Sequence, residues 1–136
     1  MKKTVLLTIG LLLCSSAALS AATDTLSCWK LRRDGGAKTW KAQVPTTVAA
    51  VLADAGEFGE NPLESMNYAS IDKAQFDSPW TFTTRFKTGR EKGKHYTLHL
   101  NSLNYRADIF LNGKQIADAG ETFGPLRSYT FDITGL

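Results

Sequence analysis

LNYRADIFLNGKQIADAG, residues 103–120, is the stretch on which the fold turns. Two short runs of β-forming residues flank Asn112-Gly113, a pair suited to a two-residue turn in which both central residues take positive φ. On the first run Tyr105, Ala107, Ile109 and Leu111 alternate with Asn104, Arg106, Asp108 and Phe110. Successive strand side chains point to opposite faces, so the first set is expected in the core and the second outside. Arg106 and Asp108 are then expected to form a same-face ion pair. Asn104 stands where the chain enters the strand, where its amide is free to reach outward.

The same alternation recurs along the chain. "LSCWKLR" (26–32) reads as a strand that ends at the turn "RDGGAK", and "WTFTTRFKT" (80–88), "HYTLHLN" (95–101) and "RSYTFDIT" (127–134) read likewise, with "GREKGK" as a charged turn. One segment differs in period. Pro45 precedes a Thr cap, Val48, Val51, Leu52 and Ala55 recur at helical spacing, and Gly56 sits where a helix stops, which predicts one amphipathic helix of about ten residues. The aperiodic stretch 57–78 is expected to be a long surface loop, a length that is rare in a compact domain unless it is functional or lies against something else. Repeated short strands, polar turns and one small helix predict an all-β antiparallel sandwich or jelly roll. "SYTFDITGL" stops straight after a strand, so the chain is expected to be a fragment lacking the last strand or strands of its sandwich.

With 136 residues there is room for one domain. Residues 1–22 have the parts of a secretory signal peptide: Lys2 and Lys3, then "VLLTIGLLLC", then "SSAALSAA". This leaves residues 23–136 as the domain and predicts an exported, periplasmic or secreted protein. The apolar run is too short for a membrane span, which needs about 20 residues. A lipid anchor on Cys14 is disfavoured because Leu13 is not small. Loss of Lys2 and Lys3 lowers the formal charge from +3 to +1, so no footprint for nucleic acid remains. It also leaves Cys28 without an intrachain partner, and in an alternating segment it is expected as a small buried side chain.

Few residues are candidates for chemistry. His95 and His99 lie four apart, about 13 Å along a strand, too far to share one ion, so no metal site is expected. Glu57, Glu60, Glu64, Asp72 and Asp77 fall in the loop with no apolar frame to set their pKa values apart, and are expected as solvated charges. There is no phosphate loop, nucleophile elbow or cofactor motif. Trp40, Trp80, Phe82 and Tyr105 have the planar faces that stack on sugar rings but are expected in the core, with Trp80 between sheet and helix.

Taken together, "WKAQVPTTV", "NPLESMNYASI", "SPWTFTTRF", "LHLNSLNYRADIFLNGKQIADAGETFG" and "YTFDIT" resemble, in order and spacing, the N-terminal galactose-binding-like domain of glycoside hydrolase family 2. The likeness is to its β-mannosidase and exo-β-glucosaminidase branch and covers Leu26 to Leu136. It departs at Thr46, at Ser65-Met66-Asn67 and at Thr81, Phe82 and Thr83, where the family has Gly, Gly-Met-Asn and an aromatic followed by Tyr-Arg. The resemblance implies a jelly-roll β-sandwich that precedes an immunoglobulin-like domain and a (β/α)8 barrel. It also implies that the barrel carries the two glutamates of a retaining β-glycosidase. In the family the acid/base glutamate follows an asparagine, and this chain has no Asn-Glu pair, so no catalytic residue is assigned to it. The resemblance further implies that Asn104 contacts the sugar as a substrate-binding residue, and that the long loop lies along the barrel. A stand-alone exported carbohydrate-binding or structural sandwich is the alternative.

Overall fold

The computed structural model describes residues 22–62, 64–89 and 91–136. The expected leader, up to residue 21, lies outside the described residues, as does Arg90 of the charged turn. The chain forms two compact units, one up to Phe86 and one from Lys87 to Leu136. Both are built of antiparallel strands, with a single short α-helix among the described residues, as the all-β reading expects. No described helix is long and apolar enough to cross a membrane.

In the first unit, β1 (Cys28–Arg33) is the central strand between β2 (Thr39–Gln43) and β3 (Trp80–Thr83). Register places Leu31 opposite Trp40 on one side and Phe82 on the other. Leu31 is fully buried, and with Ala42 and Val51 it forms the core on which Trp29, Trp40, Val48, Trp80 and Phe82 pack. The indole N–H groups each find an acceptor: Trp29 Nε1 donates to the Leu26 carbonyl at 2.6 Å and Trp80 Nε1 to that of Gln75 at 3.1 Å. Since Trp29 and Leu31 point inward, period-two alternation turns Cys28 outward. Cys28 is exposed, contrary to expectation, with Sγ 3.5 Å from Gln43 Oε1. The expected strand at residues 80–88 is shorter too, because regular pairing with β1 ends at Thr83.

Helix α1 (Val48–Asp54) has seven residues rather than ten. Its start is as read: Thr47 Oγ1 accepts from the Ala50 amide at 3.1 Å and satisfies one of the first-turn donors. Its end is a Schellman closure. Gly56, at φ +75°, donates to the Ala53 carbonyl at 2.9 Å, and Glu57 donates to that of Leu52 at 3.0 Å. Val51 and Leu52 are its buried residues. The long loop after it contains two 3-10 turns, Asn67–Ser70 and Lys73–Phe76, the second capped by Asp72 on the Ala74 amide.

In the second unit β4 (Thr97–Leu103) pairs with β7 (Arg127–Asp132), and β5 (Ile109–Leu111) with β6 (Lys114–Ala117). The β5–β6 turn is the expected one, with Asn112 at φ +52° and Gly113 at +80°. The strand that leads into it is not. It spans only three residues, and Arg106 makes an isolated bridge to Phe123 instead of continuing the ladder. The alternation read back to Tyr105 therefore fails, and Tyr105 is 49% exposed rather than core. The expected ion pair is also replaced. Asp108 Oδ1 accepts from Gln115 Nε2 at 3.1 Å and from the Ala119 amide at 3.0 Å, and no ion pair joins it to Arg106.

Candidate functional site

Asn104 directly follows β4 and is exposed. The ladder that delivers it is interrupted: β4 and β7 shift register between Leu100 and Leu103, and Ser102 takes φ +54°. A local irregularity of this kind re-aims the side chains after it. Downstream, residues 105–107 are fastened to residues 122–124. The Gly124 amide donates to the Tyr105 carbonyl at 2.8 Å, Arg106 bridges Phe123, and the fully buried Thr122 closes the segment. Thr122 Oγ1 accepts from the Ala107 amide at 3.2 Å and donates to the Ala107 carbonyl. Asn104 thus projects from backbone held on both sides. Its amide, which can donate and accept, bonds to no other described residue.

The acidic groups near this segment are engaged in local hydrogen bonds. Asp108 holds Gln115 and Ala119, and Asp118 Oδ1 accepts from the amides of Gly120 and Glu121 at 2.7 and 3.0 Å. The histidines are apart in role. His95 precedes β4, and His99 Nδ1 lies 2.6 Å from Thr130 Oγ1 across the β4–β7 ladder. Among the described residues no cluster of His, Cys, Asp or Glu has the composition of a metal site.

Glu57 departs from the solvated-charge reading. Its Oε1 accepts from Lys38 Nζ at 2.5 Å and Trp40 Nε1 at 2.8 Å, which ties the start of the long loop to β2. The Lys38 hydrogen bond, then that of Trp40, holds the carboxyl below its usual 4.5. Sequence spacing gave no sign of this, since Lys38 and Glu57 are 19 residues apart. Beyond Glu57, α1 and the loop enclose an apolar cleft of about 210 Å³ lined by Ala50, Ala53, Phe58, Tyr68 and Ile71 among others. Trp40, Trp80 and Phe82 are half-buried and pack against the Leu31 core, as expected of them.

The glycosyl hydrolase 2 galactose-binding domain-like family model matches residues 29–136. The chain belongs to that family. Curated relatives agree: it is 37% identical over 91 residues to the exo-beta-D-glucosaminidase of Hypocrea jecorina, which covers 66% of this chain and 10% of that protein. It is 31% identical over 97 residues to the exo-beta-D-glucosaminidase of Streptomyces avermitilis, 71% of this chain and 10% of that protein. The same name belongs to a relative from Amycolatopsis orientalis, 28% identical over 89 residues, or 65% of this chain and 8% of that protein. The chain spans about a tenth of the length of these relatives. No solved structure matches it significantly. The family match takes in both compact units, and with them Asn104 and the segment that holds it.

Proposed function

We propose that this chain is the non-catalytic N-terminal domain of a retaining β-glycosidase that hydrolyses O-glycosidic bonds, with β-linked glucosaminides as the leading substrate class. In this reading it is exported on its first 22 residues, buttresses a separate catalytic barrel beyond an immunoglobulin-like domain, and helps wall the sugar pocket through Asn104. The family match over residues 29–136 carries the reading. Relatives at 31% and 37% identity that bear the exo-beta-D-glucosaminidase name support the sugar. Asn104 suits its part because its exposed carboxamide can read hydroxyl groups in both directions.

The test is Asn104→Ala in the protein encoded by the whole open reading frame. With a chromogenic β-D-glucosaminide, kcat/KM is expected to fall about tenfold, the loss of one well-made sugar hydrogen bond. An unchanged value overturns the role of Asn104, and a protein that hydrolyses no β-glycoside overturns the reading as a whole.

A further inference from the structure

We infer that Tyr105 and Phe123 form a stacking platform for a pyranose ring of the glycoside, beside Asn104; the inference rests on the reading that this face meets sugar. The two rings are 49% and 48% exposed, and their centroids lie 4.8 Å apart at an interplanar angle of 75°. An edge-to-face pair leaves the faces of its edge-on ring uncovered by its partner, and an uncovered aromatic plane suits the apolar C–H face of a pyranose.

The backbone beneath both rings is fixed. Gly124 donates to the Tyr105 carbonyl, Arg106 bridges Phe123, Thr122 ties to Ala107, and Tyr129 Oη donates to the Phe123 carbonyl at 3.2 Å. The pair is therefore pre-organised, and binding need not order it, which is the usual cost of a flexible contact. Exposing two large rings on such a scaffold gives up apolar burial that a bound sugar ring would restore.

The neighbours select a sugar over an apolar protein surface. Asn104 and Arg106 flank Tyr105 in sequence, both are exposed, and neither side chain bonds to another described residue. A carboxamide and a guanidinium next to the tyrosine in the chain suit a ligand that is apolar on its face and hydroxylated at its rim. A wholly apolar partner would strip water from both groups without replacing their hydrogen bonds.

The experiment uses the whole-reading-frame protein with a β-1,4-linked glucosamine tetramer and a chromogenic β-D-glucosaminide, comparing Tyr105→Phe, Tyr105→Leu, Phe123→Leu and Asn104→Ala. Leu keeps apolar bulk and removes the plane, whereas Phe keeps the plane. The Leu variants are expected to raise KM at least about threefold more than Tyr105→Phe on one or both substrates, with little change in melting midpoint. Leu variants with wild-type KM while Asn104→Ala is impaired overturn the platform and leave the glycosidase reading standing. Leu variants that keep KM but lower the melting midpoint assign the rings to packing within the fold, which also overturns it. A wild-type protein that neither hydrolyses nor binds either probe overturns the platform and the glucosaminide assignment together.

Discussion

Glu57 shows how one carboxylate can hold a loop. It closes α1 through its amide and, through Oε1, takes hydrogen bonds from Lys38 and Trp40. Its side chain is 28% exposed, so water screens the pair and the gain is modest. The direction is nevertheless fixed. Because these partners lower the folded-state pKa below 4.5, the carboxylate remains charged in the folded protein at pH values where the unfolded chain takes up a proton. The stabilisation is thus fully present above pH 4.5 and is lost as pH falls through the folded value. Glu57→Gln, which keeps an acceptor but has no charge to lose, should flatten this dependence. Between about pH 5 and 3 the wild-type melting midpoint, followed by Trp fluorescence, should drop further than that of the variant. Parallel curves would sever Glu57 from the acid response.

Helix ends and the tight turn rest on short-range signals and were readable from residue types, as was the presence of β1, β4 and β7; strand limits set by long-range pairing were not. Thr47, through its hydroxyl, and Gly56, through its freedom to take positive φ, bracket α1, and Asn112-Gly113 makes its turn for a similarly local reason. At Gly56 a Cβ would meet nothing within 4 Å, so Gly56→Ala has only its φ of +75° against it. The cost should be about 1 kcal/mol, read as a lower denaturant midpoint at constant m-value. A neutral substitution would mean that the helix end relaxes out of the left-handed region. Where β5 begins had no such local marker. Alternation runs unbroken from Asn104 to Leu111 in sequence, but the ladder starts only at Ile109 because Arg106 and Ala107 are engaged with Phe123 and Thr122. That capture by residues about 15 positions away moved Tyr105 from the expected core to the surface beside Asn104. At Cys28 two local tendencies conflict: the parity set by Trp29 and Leu31 turns it outward, and this prevails over the tendency of small thiols to be buried. Asn104 itself carries no local signal of function beyond its position; the family resemblance, rather than periodicity, singled it out.

At the scale of the whole molecule, burial is uneven. Among the described residues the buried apolar side chains are Leu31, Ala42, Val51, Leu52, Ala117 and Ile133, and only the last two belong to the second unit. That unit exposes Tyr105, Phe110, Phe123 and Leu126, against Met66 and Tyr68 in the first, and its β5–β6 sheet has two strands. A two-stranded hairpin is marginal in water, whereas β1 is paired on both sides over a core that includes the fully buried Leu31. Local opening free energies should follow this division. In the 136-residue chain, native-state hydrogen exchange should find the amides of β1 that donate within the sheet at least about tenfold better protected than those of β5 and β6, a gap of about 1.4 kcal/mol. Leu31→Ala should narrow that gap, since deleting a fully buried leucine side chain costs about 2–5 kcal/mol in the unit that holds it. Equal protection in both units before substitution would mean that opening of β5–β6 is coupled to the Leu31 core. The thin apolar interior of the second unit would then not set its local stability.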